Sequence, residues 1–122
     1  MDQKEVERVL REFVDGEIII GASLLKTDGR IIAAHYSAIE NTIPTIIARE
    51  SLSAKRRRRN IFPVLGRLIN SITKYEKMSI GLSSIGNGQY TELVANSEVP
   101  LERFSAKLNE ISNKLRSSKK KR

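Results

Sequence analysis

The chain has 122 residues, with 22 Lys and Arg against 14 Asp and Glu, one His, no Trp and no Cys. That length fits one domain able to bury its own core, and the missing cysteines exclude disulfides and thiolate metal sites, leaving His35 as the sole imidazole. The net charge of +8 is unevenly spread: residues 49–60 carry +5, residues 114–122 carry +6, and the remainder is mildly acidic at −3.

Val6, Val9, Leu10, Phe13 and Val14 recur at steps of three and four, with acids early and Gly16 just beyond, which predicts an amphipathic helix. The runs "EIIIGASLL" and "IIAAHY" flank Asp28-Gly29, a strong hairpin signal, and predict strands over residues 17–25 and 30–36. Asn41 or Thr42 then offers a helix cap, and Pro44 suits a first turn. Beyond it Ile46 and Ile47 open an apolar face, and Ile61, Leu65, Leu68 and Ile72 continue one at helical spacing, joined by Phe62, Val64 and Ile69. Between them the cations at 55–59 cover more than a full turn, and Pro63 disfavours the α conformation at Phe62. Two helices are therefore expected, over 44–56 and 62–76, with an exposed basic joint.

Met78, Ile80 and Leu82 alternate with Ser79, Gly81 and Ser83 as in a half-buried strand; "GNG" at 86–88 makes a second tight turn, and "QYTELVANS" supplies the paired strand. Leu101, Phe104, Leu108, Ile111 and Leu115 form a last helical stripe with Pro100 near its start. The final "RSSKKKR" has no apolar period and reads as a disordered tail. The expected architecture is one α+β domain over residues 1–115 with a basic tail at 116–122. Its helices pack on a single antiparallel sheet of four to five strands, in the order α-β-β-α-β-β-α with the middle helix broken.

The same residues argue against an enzyme. A nucleophile needs a base within hydrogen-bond reach, and His35, near a strand end with no orienting partner close in sequence, reads as structural or surface. "GNG" lacks the following helix and further glycines of a phosphate cradle. Glu5, Glu7, Glu12 and Asp15 lie on or near the exposed side of the first helix, where solubility explains them. No cofactor and no metal are expected. No apolar run approaches the ~20 residues of a membrane span, and the charged start "MDQKEVERVL" is unlike a signal peptide, so a cytoplasmic protein is expected.

"EIIIGASLLKTDGRIIAAH", following a helix, resembles the roadblock / dynein light chain family, whose members begin with a helix and a strand pair enclosing a "DG" turn. "IGNGQYTELVANSE" with its following helix is similar to that family's closing strand and helix, and the resemblance spans about residues 4–115. The family usually has three strands after its central helix; two are read here, and a fifth would have to lie within 74–84. What the resemblance implies is a non-catalytic, homodimeric module that serves as a platform for small Ras-like GTPases or a larger assembly.

Two surfaces are candidates for partners. The basic segments Lys55, Arg56, Arg57, Arg58, Arg59 and Lys119, Lys120, Lys121, Arg122 suit an acidic protein, nucleic acid or an anionic membrane, against the plain readings of a solvated joint and a solubilising tail. With three Phe and three Tyr there are few stacking platforms, and no recognition helix is visible, so contact with nucleic acid would be phosphate-directed and sequence-independent. In "RIIAAHY", Ile31, Ile32, Ala34 and Tyr36 form a candidate dimer edge, apolar and without Pro. Two functions stay open: a roadblock-like scaffold or regulator of a small GTPase, and a nucleic-acid-associated protein that grips phosphates with two basic arms.

Overall fold

The computed structural model describes residues 2–37 and 69–120, with side chains as far as Ser117. The elements are α1 (Gln3–Phe13), β1 (Ile19–Lys26), β2 (Ile31–Tyr36), β3 (Asn70–Lys74), β4 (Met78–Gly86), β5 (Gln89–Asn96) and α2 (Leu101–Lys120). The strands form one antiparallel sheet in the order β2-β1-β5-β4-β3. This is the expected α+β layout, with the fifth strand present.

Local chemistry sets the boundaries. Asp2 caps α1, its carboxylate accepting from the Lys4 N–H at 3.2 Å, and Glu5 sits in the first turn where the helix dipole favours an acid. After α1, Asp15 Oδ1 accepts from three successive backbone N–H groups, Glu17 at 2.8 Å, Ile18 at 2.7 Å and Ile19 at 3.0 Å, and so turns the chain into β1. The first hairpin closes with Lys26 N–H on Arg30 O and Gly29 N–H on Lys26 O; Gly29 takes φ 89°, the left-handed residue this three-residue loop requires. The second is a two-residue loop with Asn87 at φ 54° and Gly88 at φ 69°, the Asn-Gly pair that matches strand twist.

Both described helices lie on one face of the sheet. Val6, Val9 and Leu10 of α1 and Phe104, Leu108, Ile111 and Leu115 of α2 bury against Ala22, Leu24, Ala33, Leu93 and Ala95. Each large apolar side chain buried in this way contributes about 1.5–3 kcal/mol. Gly81 on β4 lets α2 approach: a methyl group there would stand 3.0 Å from Leu108 Cδ2 and 3.2 Å from Phe104 Cζ. The opposite face carries Leu25, Leu82 and Tyr90 in one buried cluster and Ile80 and Val94 in another, with Ile20, Tyr36 and Met78 beside them.

Two expectations are corrected. Residues 70–74 are strand, not the end of a helix over 62–76; Ile72 does contact the main core, but from the sheet. The fifth strand thus lies at Asn70–Lys74, meeting the 74–84 window only at Lys74. The last helix also runs on to Lys120, past the boundary set at 115. The expected helix at 44–56 and residues 62–68 of the next lie outside the described residues.

Candidate functional site

Three features stand apart from ordinary packing: the two sheet edges, a buried polar cluster, and the basic end of α2. The strand order leaves β2 and β3 outermost. The candidate residues Ile31, Ile32, Ala34 and Tyr36 are therefore on an edge, with Ala34 exposed, Ile31 41% exposed, and Ile32 and Tyr36 half-buried. This edge is blunted in several ways. The β1–β2 register shifts between Leu24 and Leu25, Gln3 Nε2 of α1 donates to Ile32 O at 3.1 Å, and the Asp28–Arg30 ion pair sits at the strand's start. A bulge, a capped carbonyl and charge are the usual means of closing an edge to further strands. His35 lies half-buried on β2 opposite Ala22.

Among the described residues the other edge shows no shift in register, and its charge is Lys74 at the strand's end. β3 pairs with β4 from Asn70 through Lys74 without a shift in register. Ser84 N–H donates to Ile69 O and Tyr75 N–H to Met78 O, so residues 69, 71, 73 and 75 turn their backbone groups toward β4. By the alternation of an antiparallel ladder, Asn70, Ile72 and Lys74 turn theirs outward. At its two ends stand the large apolar side chains Ile69, 63% exposed, and Tyr75, 43% exposed.

The buried cluster lies on the sheet face away from the described helices. Glu92 of β5 is fully buried, and its Oε1 accepts from Ser23 Oγ of β1 at 3.2 Å and from Tyr36 Oη of β2 at 3.4 Å. Burial, and secondarily the Glu92 carboxylate, push the Tyr36 phenol above the usual tyrosine range, so Tyr36 stays a hydrogen-bond donor. Its ring lies over Gly21, where a methyl group would stand 2.2 Å from Cδ1. The carboxylate ties three neighbouring strands together through hydroxyl donors. Sequence reasoning missed it, although Glu92 lies in phase with Tyr90 and Val94, which mark a buried face.

Of the basic segments, Lys55, Arg56, Arg57, Arg58 and Arg59, with Lys121 and Arg122, lie outside the described residues, while Lys119 and Lys120 are in the last turn of α2. Two cations of the C-terminal segment serve the fold. Lys114 Nζ meets Glu12 Oε2 at 2.8 Å and stands 5.9 Å from the centre of the Phe13 ring, and Arg116 donates to Ser84 O at 2.7 Å. The Lys114 contact, ahead of the smaller effect of Arg8, holds the Glu12 carboxyl below its usual range. Among the described residues no three His, Cys, Asp or Glu side chains gather as a metal would need, and no helix is long and apolar enough to cross a membrane.

No protein-family model and no curated protein matches this sequence. Solved structures do. MglB of Myxococcus xanthus superposes with a TM-score of 0.80 at 12% identity, covering 98% of each chain. The gliding protein MglB of Thermus thermophilus gives 0.79 at 18% identity over 94% of this chain and 88% of its own. A roadblock/LC7 domain from Streptomyces avermitilis gives 0.72 at 16% identity, over 92% of this chain and 95% of its own. With five strands in one antiparallel sheet and a likeness that runs nearly end to end, the fold of this chain is that of the roadblock/LC7 domains.

Proposed function

We propose that this chain is a non-catalytic, self-associating interaction module of the cytoplasm that serves as a platform for a small Ras-like GTPase. One observation carries the reading: a roadblock/LC7 fold shared over more than nine-tenths of the chain with MglB and a roadblock domain. The resemblance seen in the sequence attaches GTPase platforms to that fold. The two basic segments, Lys55 to Arg59 and Lys119 to Arg122, are proposed as the electrostatic part of the partner surface, since they hold all the net positive charge on an otherwise acidic body.

The test is a titration of the chain against small Ras-like GTPases loaded with GDP or with a non-hydrolysable GTP analogue. Saturable binding that differs by about tenfold between nucleotide states supports the platform. The charge distribution also favours a second reading, phosphate-directed binding of nucleic acid, so a labelled random duplex is titrated in parallel. Changing Arg56, Arg57, Arg58 and Arg59 together to Gln should slow association with an acidic protein while leaving stability within about 0.5 kcal/mol. Duplex binding that survives physiological salt, and that weakens in this variant with a salt slope lower by about 0.9 for each phosphate no longer neutralised, would replace the first reading by the second.

A further inference from the structure

The two hairpin tips at one end of the sheet are clasped together. Thr27, in the loop between β1 and β2, donates its backbone N–H to Gly88 O at 2.9 Å and its hydroxyl to the same oxygen at 2.6 Å. Gly88 belongs to the two-residue loop between β4 and β5, and a methyl group on it would stand 3.0 Å from Thr27 Oγ1. The other half of that loop is open. Asn87 and Gly88 are exposed, and among the described residues neither the Asn87 carboxamide nor the Gly88 N–H forms a hydrogen bond.

We propose that Asn87 is a site of spontaneous modification, converted through a cyclic imide with Gly88 to aspartyl and isoaspartyl forms, and that the Thr27 clasp sets its rate. The Gly88 nitrogen gives up its proton to solvent hydroxide and attacks Asn87 Cγ. The N–Cγ bond forms, the Cγ–Nδ2 bond breaks, and Nδ2 leaves as ammonia with a proton taken from water. The five-membered ring then takes up one water at either of its two carbonyls. Opening at Cγ gives an aspartyl residue in a normal chain; opening at the main-chain carbonyl leaves Gly88 attached through Cγ, an isoaspartyl link with one more carbon in the backbone. Over both steps one water enters and one ammonia leaves.

The structure singles Asn87 out. Of the seven Asn in the sequence only Asn87 precedes Gly, whose missing Cβ leaves the attack unobstructed. Asn109 and Asn113 are followed by residues whose N–H groups lie within α2, and Asn113 Oδ1 already accepts from Arg116. Asn96 Oδ1 accepts from the Glu98 N–H, and the residue after Asn70 turns its backbone groups toward β4.

The turn itself withholds the reaction. Asn87 at φ 54° and Gly88 at φ 69° form a type I′ loop. Such a loop sets ψ of its first residue near about +30°, which puts the Gly88 nitrogen anti to the Asn87 side chain across the Cα–C bond, whereas the ring requires the two nearly eclipsed. Reaction therefore proceeds from an opened tip. When opening and closing are fast, the rate follows the open population. Turning the Gly88 nitrogen toward Cγ carries Gly88 O off Thr27, so the clasp is the latch. A backbone longer by one carbon no longer closes a two-residue loop between Gly86 and Gln89, so the isoaspartyl form stays unlatched.

The full chain is held in warm, mildly alkaline buffer, folded or unfolded in guanidinium chloride, and digested with trypsin at intervals. The fragment from Met78 to Arg103 contains both Asn87 and Asn96, so one spectrum compares them for the mass change from amide to acid. Isoaspartate is read separately by methyl transfer from S-adenosylmethionine with an isoaspartyl methyltransferase. In the folded chain Asn87 should convert ahead of Asn96, and more slowly than in the unfolded chain. Thr27→Ala, which removes one of the two bonds to Gly88 O, should speed the folded reaction by about two- to tenfold and leave the unfolded rate unchanged. Thr27→Ser, which keeps the hydroxyl, should match the wild type.

An Asn87 that stays intact in the folded chain while the unfolded chain is converted, or an Asn96 that reacts first, overturns the site. Conversion at Asn87 that ignores Thr27→Ala overturns the latch. If Thr27→Ala fails to fold, the wild type decides: equal rates in the folded and unfolded chain remove the gate.

Discussion

Replacing Gly21 by Ala tests the buried face through a single methyl group. That methyl would stand 2.2 Å from Tyr36 Cδ1 and 2.6 Å from Cε1, so the ring must swing off β1. The displaced hydroxyl then leaves Glu92 Oε1, which it meets at 3.4 Å in a site closed to water. Forced repacking of this kind costs about 1–3 kcal/mol, or roughly 3–5 °C of melting temperature per kcal/mol for a domain of this size. The informative measurement is a double-mutant cycle by urea unfolding. With Tyr36→Ala in place the clash is gone, and Gly21, whose φ is not positive, becomes an ordinary strand position. There the same Gly21→Ala change should stabilise by about 0.4–1 kcal/mol through the unfolded chain. The effect of one methyl thus reverses sign with its neighbour. Equal effects in the two backgrounds would refute the ring's position over Gly21.

Phe104→Ala, which empties a site only 1% exposed beneath α2, should cost about 3–5 kcal/mol, seen as a lower urea midpoint with an unchanged slope. Ser23→Ala removes one hydroxyl donor from the buried Glu92 and should cost about 1–3 kcal/mol, whereas Ser105→Ala on α2 should change little. Burial raises the Asp15 carboxyl, but the backbone bonds from Glu17, Ile18 and Ile19 outweigh it and hold the pKa below 3.8. Its folded-state pKa being depressed, its contribution is present above about pH 4 and lost as pH falls through the folded value. The stability gap between wild type and Asp15→Asn should therefore narrow from pH 7 to pH 3; a gap that widens would contradict the turn described here.

Where one local signal dominates, sequence and structure agree. Asp28-Gly29 and Asn87-Gly88 dictate their turns because only left-handed backbone closes them, and the stripes of α1 and α2 follow from burial on one side. β3 escaped because Leu65, Leu68 and Ile72 keep helical steps while the strand has a single apolar side chain, Ile72, to show a period of two. A short edge strand half in water carries too little pattern to outvote its neighbours. Glu92 escaped for the opposite reason. A carboxylate in a strand reads as solvent-facing until the hydroxyls of Ser23 and Tyr36, 69 and 56 residues away in sequence, are seen beside it. The end of α2 was drawn where its apolar stripe stops at Leu115, yet Arg116 still docks on Ser84 O and the helix continues through polar residues.

The sheet order has a kinetic meaning. β5 is the last strand in chain order and the middle one in space, flanked by β1 and β4. Until it arrives, β1–β2 and β3–β4 are separate ribbons with no hydrogen bond between them, each too small to stand alone in water. The pairing of β1 with β5 joins residues about seventy positions apart, a loop closure that slows folding relative to helical domains. During synthesis the two ribbons must therefore wait to be joined into one sheet, and that interval, ended by the arrival of eight residues, is when the molecule is most open to aggregation or to a chaperone.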